Sequence, residues 1–280
     1  MPFTYEYPRP AVCVDCVVFG IPPKPARIRP GRLPGLNVLL IRRLREPFVG
    51  RYALPGGFVE IDEPLEAAAR RELLEETGIA PVRLVPSGVY GDPGRDPRGR
   101  TISAVFRAVV WQREHLPVAG DDAEAVRWFP IRRLPDLAFD HDLIVREAWQ
   151  GLRRAVRGGP FGWELLPDEF EAETLAWIYR TILGRGAAID ELFAGLRRYG
   201  LIRRAARRGR NDTSIERYRW NLASYRKWER LGFGGLGLGS ECRPKAVRVR
   251  SRGDETNEGR EGKAKAGGRR RVGLSRKGTQ

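Results

Sequence analysis

The sequence predicts an α/β domain over residues 1–157, followed by a small helical module and a basic tail. Up to residue 157, apolar runs closed by glycine or proline alternate with two helical patterns. Beyond residue 158, two further helical patterns precede a pair of basic, polar segments. The balance of basic and acidic residues changes at nearly the same place. Residues 1–150 hold 21 Lys+Arg against 20 Asp+Glu, whereas residues 151–232 hold 17 against 10.

Five apolar runs in the first part predict strands. The runs lie within "AVCVDCVVFG", "LNVLLIRR", "LVPSGVYGDP", "RTISAVFRAVVWQ" and "AVRWFPIRRLPDL". The pattern "DHDLIVREAWQGLRRAV" predicts the helix that closes the domain. His141 lies near the start of this helix and has no partner visible in the sequence, so a structural role is predicted for it.

The segment Gly56–Ile79, "GGFVEIDEPLEAAARRELLEETGI", predicts a glycine turn followed by an acidic helix. The helix is expected to begin near Asp62, with Pro64 in its first turn, and to end at Gly78. Leu65, Ala69 and Leu73 are expected on the side that packs against the sheet. Three carboxylates lie at offsets of 0, 3 and 4, which places them on one side of the helix beside this apolar face. They are Glu72, Glu75 and Glu76.

These three carboxylates predict a divalent metal site. Partly buried like charges repel one another unless a cation neutralises them, and carboxylate oxygens suit hard ions such as Mg²⁺ or Mn²⁺. Arg71 lies four residues before Glu75, so the two side chains can pair. The preceding glycine turn lets a backbone carbonyl approach the same ion. These are the parts that hydrolysis of a phosphoanhydride needs. The alternative is an acidic helix face that is simply solvated.

The same segment resembles the Nudix box. The positions that match are Gly57, Glu63, Arg71, Glu72, Leu73, Glu75, Glu76, Gly78 and Ile79. The resemblance implies an α/β/α sandwich with a mixed sheet that binds Mg²⁺ and cleaves a nucleoside diphosphate linked to another moiety. It implies that Glu72, Glu75 and Glu76 bind the metal together with the carbonyl of Gly57. Glu75 or Glu72 would act as the catalytic base or orient it, and Arg71 would support them.

The loop "GDPGRDPRGR" offers three guanidinium groups, which suit phosphate contacts. An arginine loop that is merely solvated is the alternative. From about residue 5 to 230 the chain resembles bacterial ADP-ribose pyrophosphatases and the Nudix-related transcriptional regulators of NAD metabolism. That resemblance implies ADP-ribose as the ligand. The predicted substrate-binding residues are Arg95, Arg98, Arg100 and Tyr52.

Residues 158–232 predict a winged helix-turn-helix domain. "DEFEAETLAWIYRTILG" and "AIDELFAGLRRYGLI" are helical patterns, and the basic segments on either side of "RGRNDTS" predict a β-hairpin wing. An excess of basic residues indicates double-stranded DNA as a partner, since arginine neutralises phosphate. A dimerisation or packing domain is the alternative. The predicted DNA-binding residues are Arg197, Arg198, Arg203, Arg204, Arg207, Arg208 and Arg210.

Residues 233–280 are rich in glycine and basic residues, with 13 Lys+Arg against 5 Asp+Glu, and predict a disordered basic tail. Neither an apolar run of transmembrane length nor a signal peptide is expected. The 3 cysteines cannot form a fully paired disulfide framework. The sequence therefore predicts a cytoplasmic protein without membrane contact, and by resemblance a homodimer.

Two functions from different classes remain open. The complete acidic helix favours a hydrolase that converts ADP-ribose to AMP and ribose 5-phosphate. The basic second half favours a DNA-binding regulator that senses ADP-ribose, and one protein can combine both.

Overall fold

The computed structural model describes residues 6–25, 35–81, 83–115, 123–184, 187–205 and 215–231, without the side chains of residues 123–124 and 228–231. The predicted basic tail, residues 233–280, lies outside the described residues. Within the described ranges, no helix is long and apolar enough to cross a membrane.

A mixed seven-stranded sheet forms the centre of the first part, as predicted. Its main path runs β3-β2-β1-β6-β5, while β4 pairs with β1 and β7 pairs with β2. The long β1 and β6 are parallel, and the other pairs are antiparallel. The strands are β1 (Ala11–Ile21), β2 (Asn37–Arg43), β3 (Tyr52–Ala53), β4 (Gly56–Phe58), β5 (Val85–Tyr90), β6 (Thr101–Trp111) and β7 (Ala123–Pro130).

Helices α1 (Leu65–Thr77) and α2 (His141–Gly158) cover opposite faces of this sheet. Alternate residues of β1 show the division, because successive side chains of a strand point to opposite faces. Val14, Cys16 and Val18 pack in one buried cluster with α1. Val17, Phe19 and Ile21 pack in another with α2. Both faces are buried, which explains the continuous apolar run in the sequence and confirms the predicted α/β/α sandwich.

The second part begins with a 3₁₀ turn at Trp163–Leu165 and contains a three-stranded antiparallel sheet in the order β8-β10-β9. The two basic segments predicted as a hairpin pair as β9 and β10, and the residues of the connecting tip lie outside the described ranges. The elements are β8 (Glu169–Glu171), α3 (Ala172–Leu183), α4 (Ile189–Arg198), β9 (Ile202–Arg204), β10 (Arg217–Trp220) and α5 (Leu222–Leu231).

The prediction that α3 begins at Asp168 is wrong for its first residues. Glu169–Glu171 form β8 instead and pair with Arg217–Arg219. Phe170, at the centre of β8, is buried with its ring 6.5 Å from that of Tyr218. Pairing with a strand almost fifty residues later overrides the local helical preference of this segment.

Helix α3 packs directly on the first part of the chain. Trp177 is fully buried, and its indole N–H donates to the carbonyl of Pro22 at 2.9 Å. One hydrophobic cluster contains buried residues of β1, α2 and α3. The sheet and the helical module therefore share a continuous core, and the boundary predicted at residue 157 stays a prediction.

Candidate active site

The glycine turn before α1 is held against β1. Gly56 pairs with Asp15 and Gly57 with Val14 in an antiparallel bridge. A Cβ added at Gly56 would overlap the carbonyl of Val14, and the φ of Gly56 is +155°. Only glycine fits this position, so the turn can lie flat against the strand.

The same turn accommodates the first predicted metal ligand. A Cβ added at Gly57 would overlap the carboxylate of Glu72, with the added atom 2.7 Å from Oε2. The absence of a side chain at Gly57 therefore leaves the space that the Glu72 carboxylate occupies beside the backbone. Gly57 and Glu72, two members of the predicted metal site that are 15 positions apart in the sequence, are therefore in contact.

Arg71 braces the acidic helix. Its guanidinium donates to both carboxylate oxygens of Glu63, at 2.6 and 3.2 Å. It also donates to Glu72 at 2.8 Å and to the predicted partner Glu75 at 3.2 Å. A further bond, to the carbonyl of Phe58 at 3.2 Å, ties the helix to the turn. Arg71 thus orients three carboxylates, which is a positioning role.

The pKa values of these groups are shifted in opposite directions. Hydrogen bonds from Arg71, followed by one from the backbone of Glu60, lower the pKa of Glu63. The hydrogen bond to Glu63 raises the pKa of Arg71. Burial raises the pKa of Glu72, although Arg71 opposes the shift. The ionised form of Glu72 is thus disfavoured even though Arg71 is close. A bound cation would stabilise that ionised form.

The other two predicted ligands lie on either side of Glu72. Glu76 accepts a hydrogen bond from the N–H of Gly56 at 2.8 Å. Glu75 is the most open of the three, with 58% of its side chain exposed. In the described part of the chain, no three acidic, histidine or cysteine side chains converge on one point suited to a metal ion. Glu72 and Glu75 contact Arg71, and Glu76 contacts the turn, so the carboxylates line the turn without closing around a centre.

The start of α1 differs from the prediction. Pro64 is the residue that precedes the helix, and no side chain caps the first turn. The Glu63 carboxylate is instead committed to Arg71 and to the N–H of Glu60, at 2.9 Å. Leu65 was expected to face the sheet but is 43% exposed, because Ala68, Ala69 and Leu73 already fill that face. Gly78 ends the helix in the left-handed conformation, as predicted.

Three arginines and Glu76 line a cleft of about 160 Å³, named here the arginine cleft. One of the three is Arg45. The other two are Arg43, at the end of β2, and Arg98, in the loop between β5 and β6. Both also line an adjoining recess with Gly56 and Gly57. Burial and the charge of Arg98 lower the pKa of Arg43. Sequence reasoning missed Arg43, because it looks like one of several arginines that end an apolar run.

An aromatic ring, a backbone oxygen and a carboxylate fix these two arginines. The guanidinium carbons of Arg43 and Arg98 lie 4.9 and 5.8 Å from the ring centre of Phe139. Arg43 donates to the carbonyl of Pro47 at 2.8 Å, and Arg98 donates to Asp96 at 2.7 Å. Both guanidinium groups are therefore held in place before any ligand arrives, and that of Arg98 is ion-paired with Asp96.

The other predicted substrate residues are placed differently. Arg95 lines the recess, but its guanidinium group donates two hydrogen bonds to the carboxylate of Asp140, at 2.9 and 2.7 Å. Arg100 donates to the carbonyls of Gly91 and Thr101 and does not line the arginine cleft or the recess. The Tyr52 ring packs 4.7 Å from that of Phe129 in the core on the α2 side, also away from the cleft. Their roles in substrate binding stay predictions.

A buried polar cluster supports the turn from behind. The Nδ1 of His141 accepts the N–H of Leu54 at 2.9 Å, and its Nε2 lies 3.5 Å from Asp15. Asp15 also accepts a hydrogen bond from Ser103. Burial lowers the pKa of His141, which favours the neutral ring that an accepting nitrogen requires. The structural role predicted for His141 is therefore to fix the turn. No sequence spacing reveals this contact, because 87 positions separate the two residues.

The predicted DNA-binding arginines fall into three groups. Arg197 donates to the hydroxyl of Tyr218 at 2.8 Å, and Arg204 lies 3.2 Å from Glu216, so both have partners within the module. Arg198 and Arg203 are exposed. The outward surface includes one arginine that was not predicted, Arg219, which lies opposite Arg203 in the sheet. The remaining predicted residues, Arg207, Arg208 and Arg210, lie outside the described residues.

A glycine turn packed against an acidic helix, on one face of an α/β/α sandwich, defines the class of protein. A family profile for the NUDIX domain matches residues 28–148. The chain belongs to the Nudix hydrolase family.

The chain is similar in sequence to two relatives and in fold to one solved structure. The ADP-ribose pyrophosphatase of Methanocaldococcus jannaschii is 49% identical over 111 residues, which span 40% of this chain and 64% of that protein. The ADPR responsive transcriptional repressor NtrR of Acinetobacter baylyi is 32% identical over 183 residues, 64% of this chain and 69% of that protein. The crystal structure of Shewanella oneidensis NrtR complexed with a 27mer DNA superposes with a TM-score of 0.58 and 24% identity. It covers 76% of this chain and 94% of that one, so the shared fold extends beyond the Nudix domain.

Proposed function

We propose that the protein is a divalent-cation-dependent pyrophosphohydrolase that cleaves ADP-ribose or a similar nucleoside diphosphate derivative to AMP and a sugar phosphate. One observation carries the proposal. The partly buried Glu72 carboxylate lies against Gly57, and Gly57 shares its recess with Arg43 and Arg98. Carboxylates for a cation and guanidinium groups for a diphosphate thus meet at one turn.

Glu72, Glu75, Glu76 and the carbonyl of Gly57 would hold Mg²⁺ or Mn²⁺. The fit rests on the oxygen-only donor set, on the side-chain-free approach at Gly57, and on the raised pKa of the partly buried Glu72. When bound, such a cation neutralises phosphate oxygens and makes a coordinated water more acidic.

The residues of the chain divide the remaining tasks. Arg43 binds the diphosphate, because its planar guanidinium is held in place and suits bidentate phosphate contacts. Arg98 joins it after release from Asp96. Glu75 is the solvent-reachable carboxylate and accepts the proton of the attacking water, with Glu72 as the alternative base. Arg71 keeps both carboxylates aligned through its bonds at 2.8 and 3.2 Å.

The choice of ADP-ribose draws support from the relatives. An ADP-ribose pyrophosphatase matches this chain at 49% identity, and an ADPR responsive repressor matches over 183 residues. Arg95 lines the same recess as Gly57 and would contact the ligand after release from Asp140. Arg100 and Tyr52 would contribute only after the loop or the strand that carries them had moved.

A hydrolysis assay tests the proposal. Purified protein with Mg²⁺ and ADP-ribose should release AMP, measured by chromatography, and Glu76→Gln should lower the rate by about 100-fold or more. Glu66→Gln is the matched control, since Glu66 is on the same helix but pairs with Arg70 at the surface. Equal rates for wild type and Glu76→Gln, or no release from ADP-ribose and related dinucleotides, would contradict the assignment.

A second function, DNA-binding regulation in response to ADP-ribose, is favoured by the basic module. We propose that residues 158–232 form a winged helix, in which α3 and α4 precede the β9–β10 hairpin. The exposed Arg198 and Arg203 would contact phosphates. The resemblance to a repressor over 64% of this chain supports this proposal. As a homodimer, the protein would place two such modules on one duplex.

A binding assay separates this function from hydrolysis. Binding to a duplex, followed by fluorescence anisotropy, should weaken steeply as salt rises, because each phosphate contact releases counterions. ADP-ribose should change the affinity of Glu76→Gln, which cannot consume the ligand. Absence of duplex binding at low salt would refute the regulatory function and leave the hydrolase proposal intact.

A further inference from the structure

A second cavity of the described chain lies away from the acidic helix. It has a volume of about 470 Å³ and lies between β6 and α2 of the first part and the 3₁₀ turn and α5 of the second. Its lining includes Arg107, Trp111, Ala155, Trp163 and Tyr225. None of them belongs to the proposed hydrolytic site. Small-molecule sites typically measure about 300–1,000 Å³, lie between domains, and combine apolar walls with a few polar groups.

Aromatic rings form the walls and are held in place. The indole N–H of Trp111 donates to the carbonyl of Leu165 at 2.6 Å, which fixes this ring. The rings of Trp163 and Tyr225 lie 5.6 Å apart and are tilted by 54°. Rigid aromatic faces of this kind stack on planar ligands at low entropic cost.

One cation in the lining has no counter-anion in the described part of the chain. Arg83 has a counter-anion, because it is bonded to Glu164 at 2.6 Å. Arg107, on β6, makes a single long hydrogen bond to the hydroxyl of Ser87 at 3.4 Å, and no described carboxylate pairs with it. Burial and the nearby charges of Arg83 and Arg154 lower the pKa of Arg107. A half-buried guanidinium next to like charges is unfavourable unless an anion offsets it.

We propose that this cavity binds a nucleoside monophosphate, with the base against the aromatic wall and the phosphate on Arg107. A phosphate monoester carries close to two negative charges at neutral pH, which matches the positive charge of Arg107 and the neighbouring Arg154. Because the ligand would contact both β6 and α5, its binding would stabilise the packing between the Nudix sheet and the last helix. The proposal does not depend on the hydrolytic or the DNA-binding function.

Three probes test the two halves of the ligand separately. The full chain in EDTA is titrated with AMP, adenosine and inorganic phosphate, with tryptophan fluorescence and calorimetry as readouts. AMP should bind at least about 10-fold more tightly than either fragment, since one charge-assisted contact and one stacked ring each contribute. Saturating ADP-ribose should leave one AMP site per chain available. Equal binding of phosphate and AMP, or complete displacement of AMP by ADP-ribose, would overturn the proposal.

Two variants with a matched control locate the site. Arg107→Gln removes the cation and should weaken AMP binding by about 10-fold or more. Ala155→Phe narrows the opening without changing charge and should also abolish binding. Arg146→Gln should bind as the wild type does, because Arg146 is exposed on α2, pairs with Asp142 at 3.0 Å and does not line the cavity.

Circular dichroism and thermal melts identify any variant that fails to fold. AMP binding that survives in folded Arg107→Gln and Ala155→Phe proteins, or no AMP binding at millimolar concentration, would refute the site.

Discussion

Substitution by alanine should affect stability at one of the two adjacent glycines of the turn and activity at the other. In Gly56→Ala the new Cβ would meet the backbone of β1, namely the Val14 carbonyl and the Cα of Asp15 at 3.0 Å. In Gly57→Ala it would meet only the end of the Glu72 side chain. Backbone cannot move aside, whereas a glutamate can rotate. We therefore expect Gly56→Ala to destabilise the fold and Gly57→Ala to spare the fold but impair function.

The expected magnitudes follow from these contacts. Overpacking costs about 1–3 kcal/mol and a strained positive φ about as much again, so Gly56→Ala should lose about 4 kcal/mol of unfolding free energy. That corresponds to a fall in Tm of about 10 °C for a protein of this size. For Gly57→Ala, a displaced rotamer costs about 1 kcal/mol, which the reduced entropy of the unfolded chain largely offsets. Its Tm should change by less than about 4 °C.

Activity should separate the variants further. Displacement of Glu72 from the turn removes a proposed metal ligand, so Gly57→Ala should lower kcat for ADP-ribose hydrolysis by about 100-fold. The assay is AMP release under saturating Mg²⁺, with melting curves recorded on the same preparations. Wild-type turnover in a folded Gly57→Ala protein would show that the contact between Glu72 and the turn is not needed, and the metal-site reasoning would fail.

Three further outcomes are expected. Arg71→Met should destabilise the protein most at neutral pH. Arg71 lowers the pKa of Glu63, and this interaction contributes stability above pH 4.5 that is lost as the pH falls. Urea unfolding at pH 7 and pH 3.5 measures the difference. Glu72→Gln should raise the Tm of the metal-free protein at pH 7, because burial raises the pKa of Glu72 and therefore disfavours its ionised form. This gain in Tm should vanish below pH 4.5, and a lower Tm at pH 7 would contradict the expectation. Arg203→Ala should reduce the slope of log affinity against log salt for duplex DNA by about 1, and an unchanged slope would exclude Arg203 from the interface.

Local sequence patterns predicted most of the first part of the fold. The strands β1, β2, β5, β6 and β7 lie where apolar runs predicted them, and α2 begins close to the predicted residue. These strands lie in apolar runs and α2 follows a helical period, so the local sequence marks their positions. The short β3, β4 and β8 could not be predicted, because two or three residues carry no period and acquire strand structure only by pairing with distant segments.

The candidate site divides in the same way. The spacing of Arg71, Glu72, Glu75 and Glu76 along one helix indicated a metal-binding surface, because helical geometry is set by local sequence. The contact of His141 with Leu54 and the approach of Arg43 to Glu76 join residues that are far apart in the chain. Such contacts exist only once the sheet has brought the strand ends together.

By itself, the sequence determined that this protein has a Nudix box with an acidic helix, a nearly neutral first half and a basic second half. These properties depend on residue type and on spacing within a few helical turns. Tertiary structure alone decided that Gly57 leaves room for Glu72, that Asp140 engages Arg95, and that aromatic residues from both parts enclose a cavity around Arg107. Long-range packing determines which charges meet a partner, and a linear pattern of charges does not contain that information.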